Sequence, residues 1–113
     1  MHEYSITESI IKIAEKHGRE AGASRVESIT LIVGDRSGFI GDSIRMYFDL
    51  IAEGTLCEGA ELIIRPVRSL LRCPACGDTF HRRPLSFVCP VCGADGAPTE
   101  TGKEFHIESI TVS

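Results

Sequence analysis

The residues with the clearest chemistry are four cysteines in two similar segments, CPACG at residues 73–77 and CPVCG at residues 89–93. Two cysteines separated by two residues place both sulfurs on one tight turn, and the glycine after them permits a left-handed backbone. Twelve residues separate the two pairs, so one ion can be surrounded by all four thiolates. Four thiolates in a tetrahedral set favour zinc, with iron second. The spacing therefore predicts a structural zinc site formed by Cys73, Cys76, Cys89 and Cys92.

Two other interpretations of the paired cysteines are disulfides and redox-active dithiols. No thioredoxin-like context surrounds either pair. The chain has five cysteines, an odd number, which disfavours a secreted disulfide scaffold and favours a reducing cytoplasm. A redox or hydrolytic zinc enzyme would need an open metal position, and two complete cysteine pairs do not leave one.

Length and charge limit the remaining possibilities. A chain of 113 residues accommodates one domain, or a small core with a metal-stabilised insert. Its formal net charge is −4, which argues against a general nucleic-acid binding surface. Arginines are nevertheless concentrated near the first cysteine pair, at Arg65, Arg68, Arg72, Arg82 and Arg83. They keep open the alternative of a zinc-ribbon module that binds RNA or DNA, with Phe80 and Phe87 available to stack on bases. No apolar run reaches the length of a membrane helix, and the N-terminus lacks the features of a signal peptide.

Hydrophobic periodicity predicts the helices and strands that precede the cysteine pairs. Apolar positions recur at helical spacing at Ile6, Ile10, Ile13, Ala14 and His17, and Ser5 with Glu8 resembles a capping box for a helix that ends near Ala21. The pattern leaves open whether the first turn starts nearer Glu3. A β-branched strand is expected over residues 25–33 and a second over 60–67. Between them, Asp42 is expected to cap a second helix that ends at Gly54.

Residues 69–101 differ from the rest of the chain. They contain the four paired cysteines and four of the five prolines, with little periodic hydrophobicity, so their order must depend largely on the metal. Alternation resumes over residues 103–112, which predicts a third strand paired with one of the first two. We therefore expect an α/β fold: a small three-stranded sheet with two helices, plus an inserted zinc-ribbon-like module. Residues 1–68 and 102–113 would form one discontinuous domain and residues 69–101 the zinc-binding module.

The N-terminus offers a second set of metal ligands. Large residues after the initiator normally leave it in place, so the free amine should belong to Met1. That amine, deprotonated peptide nitrogens and the imidazole of His2 could form fused chelate rings in one plane. Square-planar nitrogen sets suit Ni(II) and Cu(II). From spacing alone, a disordered terminal histidine is the favoured interpretation.

The order of several segments resembles the HypA/HybF family of nickel chaperones for hydrogenase maturation. The segments are MHEYS at residues 1–5, VGDRSG at 33–38, EGT at 53–55, EGA at 58–60, both cysteine pairs, and TGKEF at 101–105. The resemblance implies that nickel is held by the Met1 amine, the His2 imidazole and backbone, and the Glu3 backbone, while the four cysteines hold structural zinc. It also implies a GTPase partner of the HypB type, a [NiFe]-hydrogenase large subunit as client and, in some organisms, a link to urease maturation proteins.

The remaining candidate residues carry no catalytic pattern. Cys57 is expected to be a small buried hydrophobe. His17 is expected on the first helix, His81 outside the four-sulfur set, and His106 on the third strand facing away from the core. No phosphate-binding loop, catalytic triad or paired carboxylates are visible. The sequence therefore predicts a cytoplasmic metal-binding protein, not an enzyme, with no membrane partner.

Overall fold

The computed structural model describes residues 2–81 and 86–113 of the chain. Helix α1 spans His2–Glu20 and helix α2 spans Gly41–Ile51. The strands of the described residues are β1 Val26–Gly34, β2 Glu61–Val67, β3 Leu70–Arg72, β4 Thr79–His81, β5 Ala97–Pro98 and β6 Phe105–Val112. Two helices with β1, β2 and β6 confirm the predicted α/β fold, and β3–β5 lie in the predicted insert. None of the described helices is long and apolar enough to cross a membrane.

The larger sheet has the strand order β2-β1-β6. Strand β1 runs parallel to β2, and α2 lies in the connection between them, whose length allows a parallel crossover. Strand β6 pairs antiparallel with β1 after the insert, so the predicted return of the chain to the first sheet is confirmed. The strand begins at Phe105, two residues later than the sequence pattern indicates.

Strand β6 carries a bulge that explains its apolar pattern. One extra residue, Glu108, lies opposite the step from Thr30 to Leu31 of β1. A bulge of this kind shifts the alternation of side chains by one residue. Ile107 and Ile110 are three residues apart, yet both pack against the core because the extra residue lies between them.

The core lies between the two helices and one face of the larger sheet. Ile29 and Leu31 from β1 are fully buried, as are Ile44 and Phe48 from α2, with at most 2% of any of these side chains exposed. On α1 the buried stripe runs through residues 10, 11 and 14. Ile13 and His17, which the sequence pattern places on the apolar face, are instead exposed.

Both helices begin differently from the sequence expectation. Helix α1 starts at His2, so Ser5 and Glu8 lie inside it and the predicted capping box is wrong. Asp42 lies in the first turn of α2, whose N-cap position is Ile40, without a side-chain cap of its own. The backbone amide of Ile40 instead donates a hydrogen bond to the carboxylate of Glu3 in α1. A glutamate in the same helix plays this role in a capping box, so here a tertiary contact replaces a local one.

The insert forms a second sheet with the order β4-β3-β5, antiparallel throughout. Leu71 in β3 is fully buried. A Cβ built on Gly96 would lie 3.0 Å from the Cβ of Leu71 and 2.6 Å from the ring of Phe80. Phe80 is therefore half-buried, with one edge of its ring against the backbone of Gly96.

Candidate metal centre

The two cysteine segments fold into matching turns. In the first, the amide of Gly77 donates to the carbonyl of Cys73 at 2.8 Å, and in the second the amide of Gly93 donates to that of Cys89 at 3.0 Å. Both glycines have positive φ, 81° and 79° respectively. The left-handed conformation that the CPxCG pattern predicts is therefore present in each turn. Each turn brings the sulfurs of its two cysteines to the same side of the chain.

The structure brings together the sulfurs of all four predicted zinc ligands. The sulfurs of Cys73 and Cys92 are 3.3 Å apart, those of Cys76 and Cys89 are 3.8 Å apart, and all four lie within 4.8 Å of one another. A regular tetrahedron with zinc–sulfur bonds of about 2.3 Å has sulfurs separated by about 3.8 Å. A disulfide needs sulfurs at about 2.05 Å, and all four cysteines are free. The donor set and its spacing therefore fit a tetrahedral four-thiolate metal site.

The pKa values of Cys73, Cys76 and Cys92 are shifted because these thiols lie close together and near backbone amides. The backbone amide of Cys76 and then the thiol of Cys92 donate to the sulfur of Cys73 and lower its pKa to about 6. The pKa of Cys76 is raised to about 12, since the amide of Asp78 lowers it less than the Cys73 thiol and burial raise it. The pKa of Cys92 is also raised, the amide of Ala94 being outweighed by the Cys73 thiol and burial. The Cys73 thiolate therefore forms readily, whereas Cys76 and Cys92 resist ionisation, and a bound divalent cation would offset the charge of their thiolates.

The four cysteines of the cluster differ in solvent exposure. Cys73 and Cys89 are buried, whereas Cys76 and Cys92 are exposed. His81 lies on β4, exposed, and is not part of the cluster, as expected. Among the arginines near the first pair, Arg82 and Arg83 lie outside the described residues. Arg65, Arg68 and Arg72 are exposed.

The predicted nickel residues lie at the start of α1. Met1 lies outside the described residues, and His2 is the first residue of the helix. Glu3 is buried, with 8% of its surface exposed, and its carboxylate accepts a hydrogen bond from the Ile40 amide. The assignment of nickel to Met1, His2 and Glu3 stays a prediction.

Two other residues behave as expected. Cys57 is fully buried in the core, its thiol faces the carbonyl of Ile11 at 3.8 Å, and burial raises its pKa to about 11. It is therefore a protonated, unreactive thiol and not a ligand. His106 is exposed on β6 opposite Ile32, facing away from the core.

One polar residue near the insert was missed by sequence reasoning. Asp35 follows β1, and its carboxylate accepts hydrogen bonds from the amide of Ser69 at 3.0 Å and from the Ser69 hydroxyl. Ser69 is fully buried at the start of the insert. The segment GDRSG at residues 34–38 reads simply as a turn, and no local signal connects it with a residue 34 positions later.

Comparison with known proteins identifies relatives along the whole chain. The family model described as "HypA: Hydrogenase/urease nickel incorporation, metallochaperone, hypA" matches residues 1–112. The hydrogenase maturation factor HypA of Caldanaerobacter subterraneus subsp. tengcongensis is 38% identical over 113 residues, covering 99% of each chain. The factor of the same name from Geobacter metallireducens is 40% identical over 112 residues, again covering 99% of each.

Solved structures agree with these sequence matches. The solution structure of the Ni metallochaperone HypA from Helicobacter pylori is similar with a TM-score of 0.63 and 27% identity, covering 97% of this chain and 96% of that one. A second solution structure of a HypA protein has a TM-score of 0.68 and 28% identity, covering 100% and 97%. The fold, the four-cysteine cluster and the matches over nearly the full length lead to one conclusion: the chain belongs to the HypA family of hydrogenase/urease nickel-incorporation metallochaperones.

Proposed function

We propose that this chain binds Ni(II) at its N-terminus and delivers it to a [NiFe]-hydrogenase precursor, and that it is not an enzyme. The observation that carries this proposal is the family match over residues 1–112, which includes the segment MHE. It is supported by relatives named as hydrogenase maturation factors and by a similar structure titled as a Ni metallochaperone. The described residues provide a metal site and a small core, and the sequence offers no catalytic pattern.

The proposed nickel ligands are the Met1 amine, the imidazole and backbone nitrogen of His2, and the backbone nitrogen of Glu3. The position of α1 supports this set, because the helix begins at His2. The first four N–H groups of an α-helix have no intrahelical acceptor. Nickel can therefore take the amide nitrogens of His2 and Glu3 without removing a helical hydrogen bond.

The four-cysteine cluster is proposed to hold structural zinc. Its ligands Cys73, Cys76, Cys89 and Cys92 occupy all four tetrahedral positions, so the ion has no open place for an incoming ligand. We propose the corresponding division of the chain into a nickel-binding domain, residues 1–68 with 102–113, and a zinc-binding module, residues 69–101. Zinc would order the insert and nickel would be the cargo.

Delivery requires a site from which a second protein can remove the ion. A short terminal segment has few anchors and presents an open edge, which allows an incoming ligand to displace a bound nitrogen. We propose a HypB-type GTPase and the [NiFe]-hydrogenase large subunit as partners, with urease maturation proteins in some organisms. The family description, which names both hydrogenase and urease, supports this choice of clients. Cysteines that bind zinc and form no disulfides also support a cytoplasmic location.

Replacing His2 by alanine tests the nickel site. We expect His2→Ala to abolish stoichiometric Ni(II) binding in equilibrium dialysis, because the imidazole and the terminal amine form one chelate. Zinc content and the circular dichroism spectrum should not change. The matched control is His17→Ala, which removes an exposed imidazole from the same helix and should keep nickel binding. If His2→Ala still bound one nickel with wild-type affinity, the proposed nickel site at the N-terminus would be wrong.

Two further measurements distinguish the terminal amine from other ligands. An additional residue before Met1 converts the amine into an amide, and nickel affinity should fall as it does in His2→Ala. Affinity should also decrease as the pH falls through the histidine range, since protons compete for the imidazole and the amine. A pH-independent affinity would argue against both nitrogen donors.

A further inference from the structure

The insert is connected to the larger sheet by two chain segments. The outgoing segment runs from the end of β2 at Val67 to the start of β3 at Leu70, and the return segment runs from β5 at Pro98 to β6 at Phe105. Both segments pass the loop at residues 34–38, which joins β1 to α2 and is called here the junction loop. Two connections alone would leave an insert free to rotate, so contacts with this loop decide whether it does.

Asp35 in the junction loop holds the outgoing segment. Its carboxylate accepts both donors of Ser69, the backbone amide at 3.0 Å and the hydroxyl. Its own amide donates to the carbonyl of Val67 at 2.9 Å. Ser69 is fully buried whereas Asp35 is exposed, so the carboxylate supplies an acceptor to two donors that would otherwise be buried without one.

Arg36, the next residue, holds the return segment. Its guanidinium donates to the carbonyl of Thr99 at 2.7 Å, and its backbone amide donates to the carbonyl of Gly102 at 2.7 Å. The amide of Gly34 donates to the carbonyl of Glu104 at 2.7 Å. Neighbouring residues of one loop therefore hold both segments.

The junction is also closely packed. A Cβ on Gly34 would lie 2.1 Å from the carbonyl oxygen of Gly102. A Cβ on Gly102, where φ is +109°, would lie 2.7 Å from the Oγ of Ser69 and 3.2 Å from the Oδ1 of Asp35. The backbones thus approach so closely that only glycine fits at these two positions.

We propose that Asp35 and Arg36 form a latch that fixes the orientation of the four-cysteine module, so that the module and the α/β domain tumble as one body. Asp35 acts as a positioning residue, because it holds the outgoing segment through its hydrogen bonds to Ser69. The latch does not depend on which metal either site binds, so it stands or falls separately from the proposed nickel function.

Backbone ¹⁵N relaxation of the zinc-loaded full chain tests the latch. In the wild-type protein, amides of both sheets should fit one rotational diffusion tensor. In Asp35→Ala the common tensor should be lost, with a shorter correlation time for β3–β5, while zinc content and amide dispersion stay unchanged. Asp35→Asn should keep the common tensor, since the side-chain amide can still accept from the Ser69 amide and donate to its hydroxyl. Asp49→Ala, at an exposed carboxylate on α2, is the matched control and should also keep it.

A second variant covers the case in which Asp35→Ala does not fold. Gly102→Ala places a methyl group against Ser69 and should release the module, whereas Gly22→Ala imposes a positive-φ cost with nothing within 4 Å of the new Cβ and should not. The proposal is overturned if the wild-type sheets already tumble independently. It is equally overturned if the folded Asp35→Ala or Gly102→Ala protein keeps the common tensor.

Discussion

Replacing Leu71 by alanine should weaken zinc binding although Leu71 is not a ligand. Leu71 is fully buried in strand β3 of the insert. Leu→Ala at buried sites costs about 2–5 kcal/mol, and the lower end, about 2–3 kcal/mol, applies where a small site can collapse. If the module folds only when it binds zinc, this loss appears in the apparent zinc affinity. At about 1.4 kcal/mol per tenfold change, the affinity should fall by about 30- to 140-fold.

Competition with a chromogenic chelator of known zinc affinity measures this effect at pH 7. The control is Leu50→Ala in α2, whose side chain is 66% exposed, and it should leave zinc affinity unchanged. Thermal unfolding of the α/β domain should be similar in both variants. Wild-type zinc affinity in Leu71→Ala would show that the module is already folded without the metal, and the coupling argument would be wrong.

Three other predictions concern the cysteines. Cys73→Ala should lose zinc and broaden the amide resonances of residues 69–101 in NMR spectra while α1, α2 and the larger sheet stay folded; global unfolding would show that the two parts are not separable. After zinc chelation, iodoacetamide at neutral pH should label four of the five free cysteines. The fifth, Cys57, should react only after denaturation, and mass spectrometry of the digested protein measures which cysteines are labelled. Burial raises the pKa of Cys57 from 9.0 to about 11, so above pH 9 the unfolded thiol ionises first and stability falls between pH 9 and 11. Cys57→Ala should lower that part of the pH dependence of the urea midpoint, and an unchanged slope would contradict it.

Local patterns were sufficient for the parts of the fold that local chemistry decides. The CPxCG spacing predicted two left-handed turns, and Gly77 and Gly93 adopt them. Alternation of β-branched residues predicted β1 and β2 within one residue of their ends. The return of the chain to the first sheet followed from the renewed alternation after residue 102, and pairing of β6 with β1 confirms it.

The features that sequence reasoning missed are all tertiary. The capping chemistry at Ser5 predicted a capping box and left a helix start nearer Glu3 open, whereas α1 extends to His2, and Glu3 contacts Ile40 at the start of α2. The contact of Asp35 with Ser69 joins residues 34 positions apart. Neither partner has a composition that identifies the other, so only the assembled fold brings them together.

The edges of the larger sheet bear on how this protein behaves when it is concentrated. Strands β2 and β6 are the outer strands of the described sheet, and exposed outer strands are templates for pairing between molecules. On one side, Pro66 lacks the N–H that a further strand would need, and the exposed Arg65 precedes it. On the other, the bulge at Glu108 disturbs the regular spacing of the free edge and adds a charge. Both outer strands of the described sheet therefore carry features that disfavour edge-to-edge pairing between molecules.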